Sequence, residues 1–125
     1  MKAKILILDD EPLITESLSE YLQLYDYDAI GVVTFEEALK MSENTKFDLY
    51  IVDIKLKKYD GIKAILKLYK LNPTTKFIIF TGSRTFKVPE EFKELNITDK
   101  NVIFKPLIDL NIMLKKIEEI LQDKK

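Results

Sequence analysis

Ile5-Leu6-Ile7-Leu8-Asp9-Asp10-Glu11-Pro12 is a run of four branched apolar residues that breaks abruptly into three acids and a proline. A short continuous apolar run of this kind suits a strand buried on both faces, and the proline after it suits the first turn of a helix. Three further runs end in the same way. Leu49 to Val52 leads into Asp53, Phe77 to Phe80 into Thr81-Gly82, and Val102 to Phe104 into Lys105-Pro106. If the four runs are parallel strands of one sheet, their polar ends meet in a single cleft at the carboxyl edge, where open α/β sheets bind ligands.

Helical patterns fill the intervals. Leu13, Ile14, Ser17, Leu18, Tyr21, Leu22 and Tyr25 recur at three- and four-residue spacing and predict a first helix from Pro12 to Tyr25. Asp28 to Val33 reads as a second strand. Thr34 followed by Glu37 is a capping-box pattern that opens a second helix. Asp60-Gly61 marks a turn into a third helix, which Asn72-Pro73 ends. Pro89 starts a short fourth helix through Leu95, and Leu110 to Leu121 supplies a fifth. The expected fold class is α/β: a doubly wound, five-stranded parallel sheet with five helices, forming one three-layer domain over residues 1–125.

Composition narrows the function. The chain has 125 residues, 46% of them hydrophobic, enough for one core. With 20 Lys+Arg against 21 Asp+Glu, no overall field favours nucleic acid or an anionic membrane, so direct contact with either is not expected. The absence of cysteine removes disulfides and thiol chemistry, and the absence of histidine removes the commonest general base and any histidine phosphoacceptor. Met1 to Lys4 runs straight into the first strand, with no signal-peptide core and no run of membrane-spanning length, which predicts a cytoplasmic protein.

The cleft itself carries the chemistry. Asp9, Asp10 and Asp53 would bring three carboxylates together, and two like charges about 4 Å apart repel by roughly 4 kcal/mol at an effective dielectric of about 20. Folding has no use for that repulsion. A hard divalent cation relieves it, and Mg2+ suits a site that shares few carboxylates with water and a phosphoryl oxygen. Asp53, apart from the pair, is the natural nucleophile toward phosphorus. Asp10 and Asp9 would hold the metal, Lys105 would neutralise developing charge, and the Thr81 hydroxyl would donate to an anionic oxygen.

In order and interval, Asp9-Asp10, Asp53, Asp60-Gly61, Thr81-Gly82 and Lys105-Pro106 resemble the receiver domains of two-component response regulators, with a flavodoxin-like fold of CheY-like type. The resemblance covers essentially the whole chain. It implies that Asp53 is the phosphoacceptor, that Asp9, Asp10, Asp53 and the Lys55 carbonyl hold Mg2+, and that Thr81 and Lys105 contact the phosphoryl group. The implied donor is a phosphohistidine on a sensor histidine kinase or phosphotransfer protein. The implied recipient is a downstream protein or a covalently linked output domain, and no output domain is expected within this chain. A homodimer through the fourth helix, fifth strand and fifth helix is a further family mode. The domain would promote its own phosphorylation and dephosphorylation without being a turnover enzyme, and the Lys105-Pro106 bond resembles the family's cis peptide.

Two departures stand out. Lys57 occupies a loop position where many receivers have proline, which leaves Lys55-Leu56-Lys57-Lys58 basic. Val102 stands where receivers commonly carry the Tyr or Phe that turns inward as the threonine moves, and Phe104 and Phe86 are the candidates to fill that space. These departures motivate an alternative, a degenerate receiver acting as a phosphorylation-independent binding module. A third class, a phosphohydrolase with an aspartyl nucleophile, would need an acid where this chain has Lys55.

Overall fold

β1 (Lys4–Leu8) is buried at every residue after Lys4. Because side chains alternate across a strand, Ile5 and Ile7 face one layer of core and Leu6 and Leu8 the other. The same division holds for β3 (Leu49–Val52) and β4 (Lys76–Thr81). In the computed structural model, which describes residues 2–122, these strands lie in one parallel sheet with β2 (Asp28–Val32) and β5 (Val102–Phe104). Met1 and residues 123–125, the two ends of the expected 1–125 unit, lie outside the described residues.

The strand order is β2-β1-β3-β4-β5. The chain therefore runs outward from β1 to β2 and returns to place β3 on the other side of β1, so the switch point falls between β1 and β3. Register aligns the strand ends there: Leu8 pairs with Val52, Val52 with Ile79, and Thr81 with Phe104. Helices α1 (Pro12–Leu24) and α4 (Asn111–Gln122) cover one face through Leu18, Leu22, Met113, Leu114 and Ile117. The other face is covered by α2 (Phe35–Asn44) and α3 (Gly61–Leu71), with Phe35, Ala38, Ala64, Ile65 and Leu68 in the core. As Thr34 and Glu37 predict, the Thr34 side chain caps α2 by accepting from the Glu37 N–H at 3.2 Å, and the Glu37 carboxylate accepts from Val33.

The fourth helical segment is in its expected place but is a 3-10 helix, Glu90–Leu95. Only Phe92 among its six residues is buried, and with Glu90, Glu91 and Glu94 exposed there is no apolar stripe to favour an α-helix. Asn96 ends it in the left-handed conformation, at φ 62°. A second 3-10 turn, Asp99–Asn101, follows, which sequence spacing did not predict. Thr98 and Asn101 cap it reciprocally, an amide doing what Glu or Gln does in the usual box.

Gly61 is left no room for a side chain by neighbouring backbone. It follows Asp60, whose carboxylate caps α3 through the Ile62 N–H at 2.9 Å. A Cβ on Gly61 would lie 2.5 Å from both Cα and O of Ile54 and 2.7 Å from the Asp53 carbonyl oxygen, all backbone atoms. Backbone cannot rotate aside, so Gly61→Ala is expected to destabilise by about 3 kcal/mol and lower Tm by roughly 10 °C. Thermal melts of the two proteins check this; an unchanged Tm would show that the β3–α3 junction yields freely.

Candidate metal and phosphoacceptor site

The sheet's ladder continues one residue beyond three of its strands. Asp9 N–H donates to the Val32 carbonyl at 3.2 Å, Asp53 N–H to Leu8 at 3.0 Å, and Lys105 N–H to Thr81 at 2.8 Å. Each charged residue thus sits on the strand frame itself rather than on a free loop. Their side chains meet: Lys105 Nζ donates to Asp9 Oδ2 at 2.6 Å and to Asp53 Oδ2 at 3.1 Å. Asp9 and Asp53 are buried, and Lys105 and Asp10 half-buried. The Lys105-Pro106 bond is cis, as the family resemblance implies.

One further oxygen of each carboxylate is held by a loop N–H group. Asp9 Oδ1 accepts from Glu11 at 3.0 Å, Asp53 Oδ1 from Lys55 at 3.1 Å, and Asp10 Oδ2 from Lys57 at 2.8 Å. Neither Asp9 nor Asp10 caps α1, whose N-cap is Glu11. Lys55, an exposed residue, borders the cleft and reaches Asp53 through its N–H. Thr81 is fully buried, and its Oγ1 accepts from the Ser83 N–H at 3.2 Å. Asp10, Asp53, Lys55, Thr81 and Lys105 border a cleft of about 310 Å³. All six sequence-predicted residues are therefore gathered at one end of the sheet. Spacing did not reveal that the Lys57 N–H engages Asp10, because that contact depends on the loop's path.

Electrostatics follow burial. Loss of water raises the Asp9 carboxyl above its ordinary value of 3.8, even though the Lys105 ammonium and the Glu11 N–H favour its charged form. Burial works against the charged form of Lys105, but its bonds to Asp9 and Asp53 outweigh that and raise it above 10.5. One carboxylate oxygen from each of Asp9, Asp10 and Asp53 lies within 4.8 Å of the other two. Three carboxylates against one ammonium leave excess negative charge on hard oxygen donors, which fits a magnesium ion.

Phe86 and Phe104 part company. Phe86 packs against the same core layer as Val102, whereas Phe104 belongs to neither core layer and lies beneath the Arg84 guanidinium, 5.4 Å from its ring centroid. Of the two candidates to fill the space beside Val102, Phe86 is the one on that side of the core.

Acidic, hydroxyl and ammonium groups thus converge at the carboxyl edge of the sheet, a donor set that fits a divalent cation beside a phosphoryl group. The chain belongs to the response regulator receiver domain family, whose family model matches residues 5–118. It is 31% identical to a CheY-like response regulator receiver domain protein from Methanospirillum hungatei JF-1, with a TM-score of 0.80 over 97% of this chain and 94% of that one. The response regulator TrrA of Thermotoga maritima, solved in complex with Mg2+-BeF, is 26% identical with a TM-score of 0.80, covering 94% and 98%. Among curated relatives, the alkaline phosphatase synthesis transcriptional regulatory protein PhoP of Bacillus subtilis (strain 168) is 43% identical over 68 residues, 54% of this chain and 28% of that protein. The chain spans half or less of the length of the first curated relatives it matches.

Receiver domains are phosphoacceptor signalling domains, and this one is consistent with phosphorylation-dependent two-component signalling. Nothing in the structure or its relatives favours the degenerate alternative. No described helix is long and apolar enough to cross a membrane.

Proposed function

We propose that Asp53 accepts a phosphoryl group from a phosphohistidine of a sensor histidine kinase or phosphotransfer protein, and that the resulting charge switches this chain between partner-binding forms. The observation that carries the reading is the Lys105 ammonium bonded at once to Asp9 and Asp53, beside Asp10. An Asp53 oxygen attacks phosphorus as the phosphorus–nitrogen bond breaks, so an acyl phosphate forms and the electron pair returns to the donor imidazole. Lys105 follows the charge from the carboxylate to the phosphoryl oxygens. Asp9, Asp10, Asp53 and the Lys55 carbonyl would hold Mg2+, which would supply further charge neutralisation when bound.

Thr81 turns its hydroxyl proton toward the phosphoryl oxygens and releases the Ser83 N–H. Ser83 in turn accepts from the Phe86 N–H at 3.2 Å, so the shift passes along the loop to the layer where Phe86 and Val102 pack. The 3-10 segment, β5 and α4 form the face toward a downstream protein, a linked output domain or a second copy. Residues 1–125 act as one receiver unit in the cytoplasm. Beyond promoting its own phosphorylation and dephosphorylation, the unit turns over no substrate. Intact-mass measurement after incubation with a small-molecule phosphodonor and Mg2+ tests the reading. A gain of one phosphoryl group that depends on Mg2+ is expected, and its absence would overturn the assignment.

The metal site has its own signature in stability. At a concentration 100-fold above its dissociation constant, Mg2+ is expected to stabilise the fold by about 2.7 kcal/mol, and Asp10→Ala to remove that gain. The increment depends on pH. Because the folded-state value of Asp9 is raised, its contribution to stability is full below 3.8 and is lost as pH rises through that raised value. A cation offsets the loss, so the magnesium-induced rise in Tm should grow from acid toward neutrality. A melting temperature indifferent to Mg2+ at pH 7 would count against the site.

A further inference from the structure

A cavity larger than the phosphoacceptor cleft lies away from it, at the amino end of β4. It measures about 770 Å³ and opens between the end of α3, the turn into β4, the two 3-10 helices and Ile120 of α4. Its volume is in the range of small-molecule sites, about 300–1,000 Å³.

Its lining is segregated by charge. Lys93 and Lys100 come to it from the two separate 3-10 helices, and among the described residues no carboxylate lines it. In a chain with slightly more acids than bases, that is a local cationic wall. Among the described residues Lys93 pairs with Glu90 alone, at 3.0 Å and with both side chains largely exposed, a pair that an incoming anion displaces readily. The Lys100 ammonium has no ion-pair partner among the described residues.

The floor is apolar and the frame is fixed. Tyr69, Pro73 and Leu95 offer ring and aliphatic surface. Buried Asn101 ties the second 3-10 turn to the sheet, donating to the Phe77 carbonyl at 2.7 Å and accepting from the Thr98 N–H at 3.0 Å. Buried Thr75 donates to the Phe47 carbonyl at 2.9 Å. The cavity walls are therefore built before any ligand arrives, which limits the ordering cost of binding.

We propose that this cavity binds a nucleoside phosphate, its phosphates on Lys93 and Lys100 and its base on the surface beside Tyr69. The lysines account for the anion, and the apolar floor distinguishes the ligand from free phosphate. The site does not depend on the chemistry at Asp53.

The test is an amide NMR titration of the full chain with ADP in the presence of a chelator, run beside inorganic phosphate and a polyglutamate peptide. Saturable shifts confined to residues such as Thr74, Asn96 and Lys100 are expected, with phosphate at least tenfold weaker. The exposed double variant Lys93→Gln, Lys100→Gln is expected to weaken ADP by tenfold or more with an unchanged Tm. Phosphate as tight as ADP, shifts at Gly82 and Ser83 instead, or indifference to the double variant would overturn the proposal. Tighter binding of the peptide at the same residues would overturn it too, in favour of an acidic protein segment.

Discussion

Asp53→Asn protein treated with a small-molecule phosphodonor and Mg2+ is expected to gain no phosphoryl mass, while the native chain gains one. The amide is nearly isosteric. Its oxygen can still accept from the Lys55 N–H or from Lys105, so the site keeps its shape, but a neutral amide lacks the charge needed to attack phosphorus. Stability should change little, because removing one of three clustered carboxylates also removes repulsion. A folded variant that still acquires the phosphoryl group would move the acceptor to Asp9 or Asp10 and refute the assignment.

Removing Lys105 should have the largest effect on stability. Its ammonium is the cation between two carboxylates whose side chains are 2% and 9% exposed, and Lys105→Ala leaves both buried without it. Breaking such a pair from one side costs about 3–5 kcal/mol, which for this chain length lowers Tm by roughly 10 °C or more. Magnesium should recover part of that loss by supplying positive charge to the same oxygens, whereas it should recover none of the loss in Gly61→Ala. Phosphorylation by a small donor should slow by roughly 100-fold, the usual consequence of deleting one charge-stabilising donor. The contribution of Lys105 does not vary near neutrality. Its folded-state value lies above 10.5, so the stability it provides is full below 10.5 and is lost only as pH rises through the raised value. Melting curves with and without Mg2+ decide the matter, and a variant as stable as the native chain would show that the two acids do not need the lysine.

The sheet and its cleft were legible in the sequence because each strand is a continuous apolar run that ends on a chemically distinctive residue. Leu8 before Asp9 and Val52 before Asp53 signal both the strand end and what it carries. The identity of the fourth helical segment was less legible. Between Pro89 and Leu95 the sequence offers one buried side chain, Phe92, and at six residues the three- and four-residue hydrogen-bond patterns have no distinct apolar signature. The amide of Asn101 gave no sign of its double role, since Asn at the third position of a 3-10 turn is not the usual box residue. Likewise, the chain order of Asp9, Asp53 and Lys105 announces that they meet, but not that the lysine sits closer to Asp9 than to Asp53.

The three main-chain bonds that extend the ladder past Leu8, Val52 and Phe104 have an evolutionary corollary. They tie the reactive groups to the strand frame, whereas Arg84, Thr85 and Lys87 in the loop after Thr81 are exposed and lie outside it. Substitution at such positions can alter the surface offered to a partner while leaving the strand-end constellation of Asp9, Asp53 and Lys105 in place.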